Sequence, residues 1–379
     1  MHVGLNLVFL TPSEQGGMEI YVRELIPQLL AVGPQHRYTA FVNSDAAAVA
    51  GPWNELIDSV TVPVHASNRI EWVRGEQQLL PPAAQRAGVD LLHSLASTAP
   101  AWGAYRRVVT IHDLIYRGLP EAHPGMRALG MRILVPLAAR RSDRVIAISE
   151  TTRRDVVRFL RTPQDKVDVV PQGLGMTRAS VLVDEVTLRQ RLAAGSRPLV
   201  LSVSAKLAHK NLMRLLGAVA AIPAGGRPLL VLPGYATAYE QELRRRAGDL
   251  GITADVRFLG WISDAELEGL YAVAACVVLP SLMEGFGLPV LEAMARGRPV
   301  ACSARGALAE VAGDAALTFD PESEPAIAAA MTRLLTDPEL CARLSAAGVE
   351  RAARFSWKAT AAGTLACYER AATGGRRAA

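Results

Sequence analysis

Aromatic residues make up only 5% of this 379-residue chain, and no motif of an RNA- or DNA-binding module is present, so nucleic acid is not an expected partner. No apolar run reaches the roughly 18 residues that a membrane-spanning helix needs. The opening stretch Met1 to Leu10 lacks the basic region and small-residue cleavage site of a secretory signal and reads as a core strand. The expectation is therefore a cytoplasmic protein. Four cysteines, Cys276, Cys302, Cys341 and Cys367, lie in apolar settings without metal-ligand spacing. That excludes a zinc site and a disulfide framework and suits buried, reduced thiols. No Asp-x-Asp pair is present to hold a metal ion, and neither a metal nor another cofactor is expected.

What is present is ample apolar residue, 50% of the chain, and enough length for two domains that each bury a core. The net charge is only +5, yet the stretch from Arg106 to Arg161 holds twelve arginines against five acidic residues. Such a run is either a solvated face or a surface attracted to an anionic membrane or a phosphorylated acceptor.

Apolar strand-like runs alternate with helical patterns throughout, the grammar of α/β domains with parallel sheets. The run Cys276 to Leu279 reads as a buried parallel strand. Behind it come Pro280-Ser281-Leu282-Met283-Glu284-Gly285-Phe286-Gly287-Leu288-Pro289, where two glycines let the backbone approach a ligand and Pro289 suits a first helical turn. A strand, a glycine loop and a helix N-terminus make a site for an anion. Glu284 and Glu292 flank it. Carboxylates repel phosphate, so they are expected to accept hydrogen bonds from hydroxyl groups on either side of it, and a ligand of that form is a nucleotide sugar.

Other candidates share this position between strand and helix. Gly16 and Gly17 sit at the first such turn, without the spacing of a dinucleotide fingerprint. His112 and Asp113 follow the strand Arg107–Ile111 at its carboxyl end, the edge where open α/β sheets bind ligands. Lys206 and Lys210 occupy the loop after Pro198–Val203, where two ammonium groups can neutralise a diphosphate. Ser263 and Glu266 are spaced as a capping box, a structural signal.

The run from Pro280 to Gly297 resembles the Glu-x7-Glu signature of the large retaining glycosyltransferase family 4, and the resemblance extends over nearly the whole chain. It implies a GT-B fold, two Rossmann-like doubly wound α/β domains facing across a cleft. The expected division is residues 1–173 plus a terminal helix at about 358–379 for the acceptor domain, a linker at 174–197, and 198–357 for the nucleotide-sugar domain. By the same resemblance Glu284 lies by the donor sugar, with Gly285, Phe286, Gly287 and Leu288 around the donor, and Glu292 holds the ribose. Lys210 matches a phosphate-binding lysine, while Lys206 or no residue takes the role of the arginine usual in the family. Gly16 and Gly17 match a Gly-Gly-x-Glu element that faces the cleft. His112 is expected to contact the donor sugar or the acceptor, and Asp113 the acceptor. Phe258, in a segment that lies beside the nucleobase in relatives, is either a base contact or core.

The implied activity is transfer of a hexosyl or deoxyhexosyl group from a nucleoside-diphosphate sugar, GDP-mannose being the favoured type. The acceptor is a glycan, a lipid-linked molecule or a small molecule, with the enzyme cytoplasmic or peripheral at the inner membrane face. A departing phosphate oxygen taking the acceptor proton and a covalent Glu284 intermediate both stand as chemistries. A nucleotide-sugar 2-epimerase and a non-catalytic nucleotide-sugar-binding protein are the alternatives of the same fold.

Overall fold

In the computed structural model, residues 1–12, 16–119, 126–175 and 181–374 are described, with 126–129 described by backbone alone. The chain divides into two compact units, Met1–Gly173 with the chain from Phe355 onward, and Leu174–Arg354.

The first unit is built on β1 (His2–Leu7), β2 (Arg37–Val42), β3 (Asp58–Thr61), β4 (Leu91–Ser94), β5 (Arg106–Ile111), β6 (Arg144–Ala147) and β7 (Val167–Val169). They form one sheet in the order β3-β2-β1-β4-β5-β6-β7, and every pair is parallel. Parallel neighbours need crossover connections, so helices cover the faces and the central strands β1 and β4 are buried along nearly their whole length. The helix Trp357–Thr373 belongs to this unit: its Trp357, Ala361, Leu365 and Tyr368 share one core cluster with Tyr21, Leu25 and Leu29 of the helix Gly17–Val32. Thr360 Oγ1 donates to the carbonyl of Pro171 at 2.8 Å, and Tyr368 Oη meets His93 Nδ1 at 2.7 Å.

The second unit repeats the plan with β8 (Leu199–Leu201), β9 (Leu229–Leu232), β10 (Val256–Phe258), β11 (Cys276–Leu279), β12 (Val300–Ser303) and β13 (Leu317–Phe319). The sheet order is β10-β9-β8-β11-β12-β13, again all parallel. Part of the stretch expected as a linker is an integral piece of this unit. Asp184 caps the helix Glu185–Arg191, Leu188 is buried, Val183 N donates to the carbonyl of Ala265 at 3.0 Å, and Arg191 pairs with Glu266. Residues 176–180 of that stretch, and 375–379 at the end of the expected terminal helix, lie outside the described residues.

In each sheet the strand order reverses once, between β1 and β4 and between β8 and β11, and the crevice at the carboxyl ends of such a pair is where doubly wound sheets hold ligands. The arginine-rich stretch is partly neutralised at home. Arg106 pairs with Asp143, Arg144 with Asp168 and Arg153 with Glu150, while Arg132, Arg140, Arg141 and Arg161 are exposed. Cys276, Cys302 and Cys367 are buried free thiols and Cys341 is half-buried. Among the described residues no helix is long and apolar enough to cross a membrane.

The capping box forms: Ser263 Oγ accepts from Glu266 N at 3.3 Å and Glu266 Oε2 accepts from Ser263 N at 3.0 Å. Ser263→Ala should therefore lower stability by about 1 kcal/mol, read as a lower urea midpoint with an unchanged slope.

Candidate active site

The site is assembled where β8 and β11 lie side by side. After β8 the chain makes a short turn, Ala208–Lys210, and Asn211 then takes a left-handed conformation (φ 61°, ψ 30°) ahead of the helix Leu212–Ala221. Asparagine tolerates that backbone better than other side chains. Its Nδ2 donates to the carbonyls of Pro280 at 2.9 Å and Pro321 at 2.7 Å. Leu282 N, just beyond β11, donates to the carbonyl of His209 at 2.8 Å. The bonds to Pro280 and from Leu282 fasten the loops after β8 and β11 to each other, and the bond to Pro321 ties them to the loop after β13.

The result is an ion pair between two of the expected residues. Lys210 Nζ stands 2.6 Å from Glu284 Oε1, and the two side chains are 19% and 14% exposed. Burial pushes the Glu284 carboxyl up, but the Lys210 ammonium, together with His209 and Ser281, outweighs it and holds the group below its ordinary value of 4.5. Glu284 is thus an anion at neutral pH and not a proton donor. The pair's contribution is complete above pH 4.5 and is lost as pH falls through the lowered value. An ammonium has three donors, and the pair uses one.

Gly287 ends the loop with φ 110°, and a Cβ there would sit 2.5 Å from Leu308 Cδ2. Backbone and space both require glycine. It leads directly into the helix Leu288–Ala295, with Pro289 in the first turn. Gly285 and Phe286 are buried, and Leu288 is half-buried. Glu292, on the same helix, is 6% exposed and accepts a hydrogen bond from Tyr271 Oη at 2.9 Å.

Lys206 does not fit the phosphate role. It is fully buried, and its Nζ donates to the carbonyls of Leu232 at 2.8 Å, of Leu259 at 2.7 Å and of Gly234. Burial pushes its pKa down to about 8, which leaves it an ammonium at neutral pH with three donors for three acceptors. Nothing remains for a diphosphate, so the expectation for Lys206 is corrected: it ties together the ends of β9 and β10. The ring of Phe258 packs against the core, with the Arg244 guanidinium 4.6 Å from its centroid.

In the first unit His112 is anchored. Its Nε2 donates to the carbonyl of Leu95 at 2.8 Å and its Nδ1 faces Gln172 Nε2 at 3.3 Å; Tyr21 meets the ring edge-on, with centroids 5.0 Å apart. Burial lowers its pKa, so the ring is neutral and both nitrogens are engaged. That suits a contact surface and not a proton shuttle. Asp113 Oδ1 accepts from Ile115 N at 3.0 Å, a turn-forming bond. Gly16 (φ 46°) precedes the helix that starts at Gly17, and a Cβ on it would meet nothing within 4 Å. Residues 13–15 of that loop lie outside the described residues.

Sequence reasoning missed Asn211, Tyr271 and Gln172. Asn211 was findable, because an asparagine between a lysine loop and a helix is a candidate for a left-handed junction. Tyr271 carries no such mark, since on a capped helix it reads as one more core position.

The model described as glycosyl transferases group 1 matches residues 184–351, and that of glycosyltransferase family 4 matches residues 15–178. O-antigen chain mannosyltransferase B of Escherichia coli is 30% identical over 276 residues, 70% of this chain and 70% of that protein. A D-inositol 3-phosphate glycosyltransferase of Frankia alni is 30% identical over 95% of each chain. Among solved structures, sucrose-phosphate synthase from Thermosynechococcus elongatus superposes with a TM-score of 0.77 at 23% identity, covering 97% of this chain and 98% of that one. Anabaena HepE, solved in complex with UDP-glucose, gives 0.74 at 20% identity over 97% and 99%.

Replacing Lys206 by methionine strands three carbonyls and is expected to cost about 3 kcal/mol of stability, measured by chemical denaturation of the second unit's transition. Unchanged stability together with lost diphosphate affinity would restore Lys206 to the phosphate.

Proposed function

The chain belongs to glycosyltransferase family 4, and from that premise we propose that it transfers a hexosyl or 6-deoxyhexosyl group, with retention of configuration, from a nucleoside-diphosphate sugar of the GDP-mannose type. The acceptor is a glycan, a lipid-linked molecule or a small molecule. The observation that carries this reading is the Lys210–Glu284 pair at the β8/β11 crevice, beside a glycine loop and a helix N-terminus. Mannose is supported by relatives named as mannosyltransferases. An anionic acceptor is supported by the exposed Arg140 and Arg141 that close the helix Met126–Arg141.

The bond that breaks joins the anomeric carbon to the diphosphate, whose oxygen keeps the electron pair. The bond that forms joins that carbon to the acceptor oxygen, and the acceptor proton passes to the departing phosphate oxygen. Negative charge grows on the diphosphate while positive charge grows on the sugar. Preorganised charges aimed at both are the main means of lowering such a barrier. Lys210 turns its remaining donors to the diphosphate, with the loop N–H groups beside it. Glu284, kept anionic by Lys210, lies by the sugar and stabilises its cationic character. Glu292 accepts hydrogen bonds from the ribose hydroxyls. His112 contributes a fixed contact surface, and Asp113 bears on the acceptor.

Release of nucleoside diphosphate from a panel of nucleotide sugars, with and without mannosyl acceptors, tests the reading; turnover confined to a non-mannosyl donor would replace the sugar assignment. Lys210→Ala should lower kcat about 100-fold or more while changing affinity for the free nucleoside little. Turnover should persist after EDTA treatment, and loss with rescue by Mn²⁺ would overturn the metal-free mechanism.

A further inference from the structure

Glu292 is a nearly buried carboxylate, 6% exposed, and a buried carboxylate is costly unless its oxygens find donors. One of them comes from another helix. Tyr271, on Asp264–Val273, is fully buried and donates its hydroxyl to Glu292 Oε2 at 2.9 Å. The tyrosine is itself fixed. The Arg296 guanidinium lies 4.8 Å from its ring centroid, and Arg296 is held at both ends, by the carboxylate of Glu268 and by the Glu292 carbonyl, to which its Nη1 donates at 3.0 Å.

The other carboxylate oxygen is bounded by a missing side chain. A Cβ on Gly175 would stand 2.2 Å from Glu292 Oε1, and Gly175 is not among the residues with positive φ. This glycine is therefore needed for space and not for backbone freedom. A free glutamate samples many rotamers, and immobilising one on binding costs affinity. Here that cost is met before the ligand arrives.

On the reading that Glu292 receives the ribose hydroxyls of the donor, we infer that Tyr271 and Gly175 are positioning residues that set the Glu292 carboxylate for the ribose diol. Neither touches the reacting atoms. Their effect passes through Glu292 alone and is confined to ligands that carry both hydroxyls.

The test is titration calorimetry of the full chain with GDP and with UDP, each beside its 2′,3′-dideoxy counterpart. Wild type, Tyr271→Phe, Gly175→Ala and Glu292→Ala are compared for whichever nucleotide binds. Tyr271→Phe removes one oxygen and keeps the ring, and should weaken the ribonucleotide about fivefold while leaving the dideoxy compound unchanged. Gly175→Ala, which displaces the carboxylate, should give the same selective loss. In the Glu292→Ala background Tyr271→Phe should add nothing. Equal weakening of both nucleotides by Tyr271→Phe would reduce the tyrosine to a packing residue and overturn the inference, as would wild-type affinity for the ribonucleotide. If Glu292→Ala itself leaves ribonucleotide binding intact, the ribose reading of Glu292 fails and the inference falls with it.

Discussion

The second unit depends on the fastening of two loops at the point where its strand order reverses. Strands β8 and β11 are neighbours in the sheet but far apart in the chain, and only tertiary structure brings Lys210 to Glu284. Asn211 supplies one side-chain bond to that junction, to the Pro280 carbonyl, and a second to the Pro321 carbonyl in the loop after β13, while the His209 carbonyl accepts from Leu282 N. A hydrogen bond of this kind contributes about 1 kcal/mol net, so the three fix the register of the loops without dominating the stability of the unit. Their value lies in position. They hold an ammonium close enough to a carboxylate to keep it ionised, in a place from which water is largely excluded.

The two lysines of the β8 loop show how little a side chain's charge says about its task. Lys206 and Lys210 are four residues apart, and both read as partners for a diphosphate. One meets three backbone carbonyls and is saturated; the other meets a single carboxylate and keeps donors in reserve. The difference lies in the acceptors that surround each ammonium, and those come from β9, β10 and β11, which are distant in the chain. A buried lysine whose donors are all satisfied by carbonyls is a structural tie, and its charge is spent on the fold.

Much of the architecture was legible because parallel strands buried on both faces leave unbroken apolar runs, and because glycine and proline punctuate them. The strand Cys276–Leu279 appears with the expected bounds. Glu284 and Lys210 were legible one at a time as strand-end residues, but their pairing was not, since no local pattern encodes the strand order. The linker was misread in part because the helix Glu185–Arg191 is short and contributes only Leu188 to the buried interior. Tyr271 was illegible for a further reason. A core tyrosine and a tyrosine that orients a carboxylate share the same helical spacing, and only the position of the hydroxyl separates them.

The two sheets share one strand order and yet fill the corresponding crevice in opposite ways. At the carboxyl ends of β1 and β4, Asn6 Nδ2 donates to Ser94 Oγ at 3.0 Å and to Glu76 Oε1 at 3.2 Å, and Thr98 Oγ1 donates to the same Glu76 oxygen at 2.8 Å. Glu76 is 1% exposed, and burial pushes its carboxyl up to about 7. Among the described residues hydrogen bonds from Thr98, Asn6 and Gln77 oppose that shift and no ammonium does, unlike the one that Lys210 supplies to Glu284, so the acid sits at the edge of neutrality. Such a cluster is satisfied from within. The β8/β11 crevice holds a paired ammonium and carboxylate at the mouth of a glycine loop. The same topology therefore yields one crevice lined by a hydrogen-bonded acid cluster and one lined by a lysine–carboxylate pair beside a glycine loop.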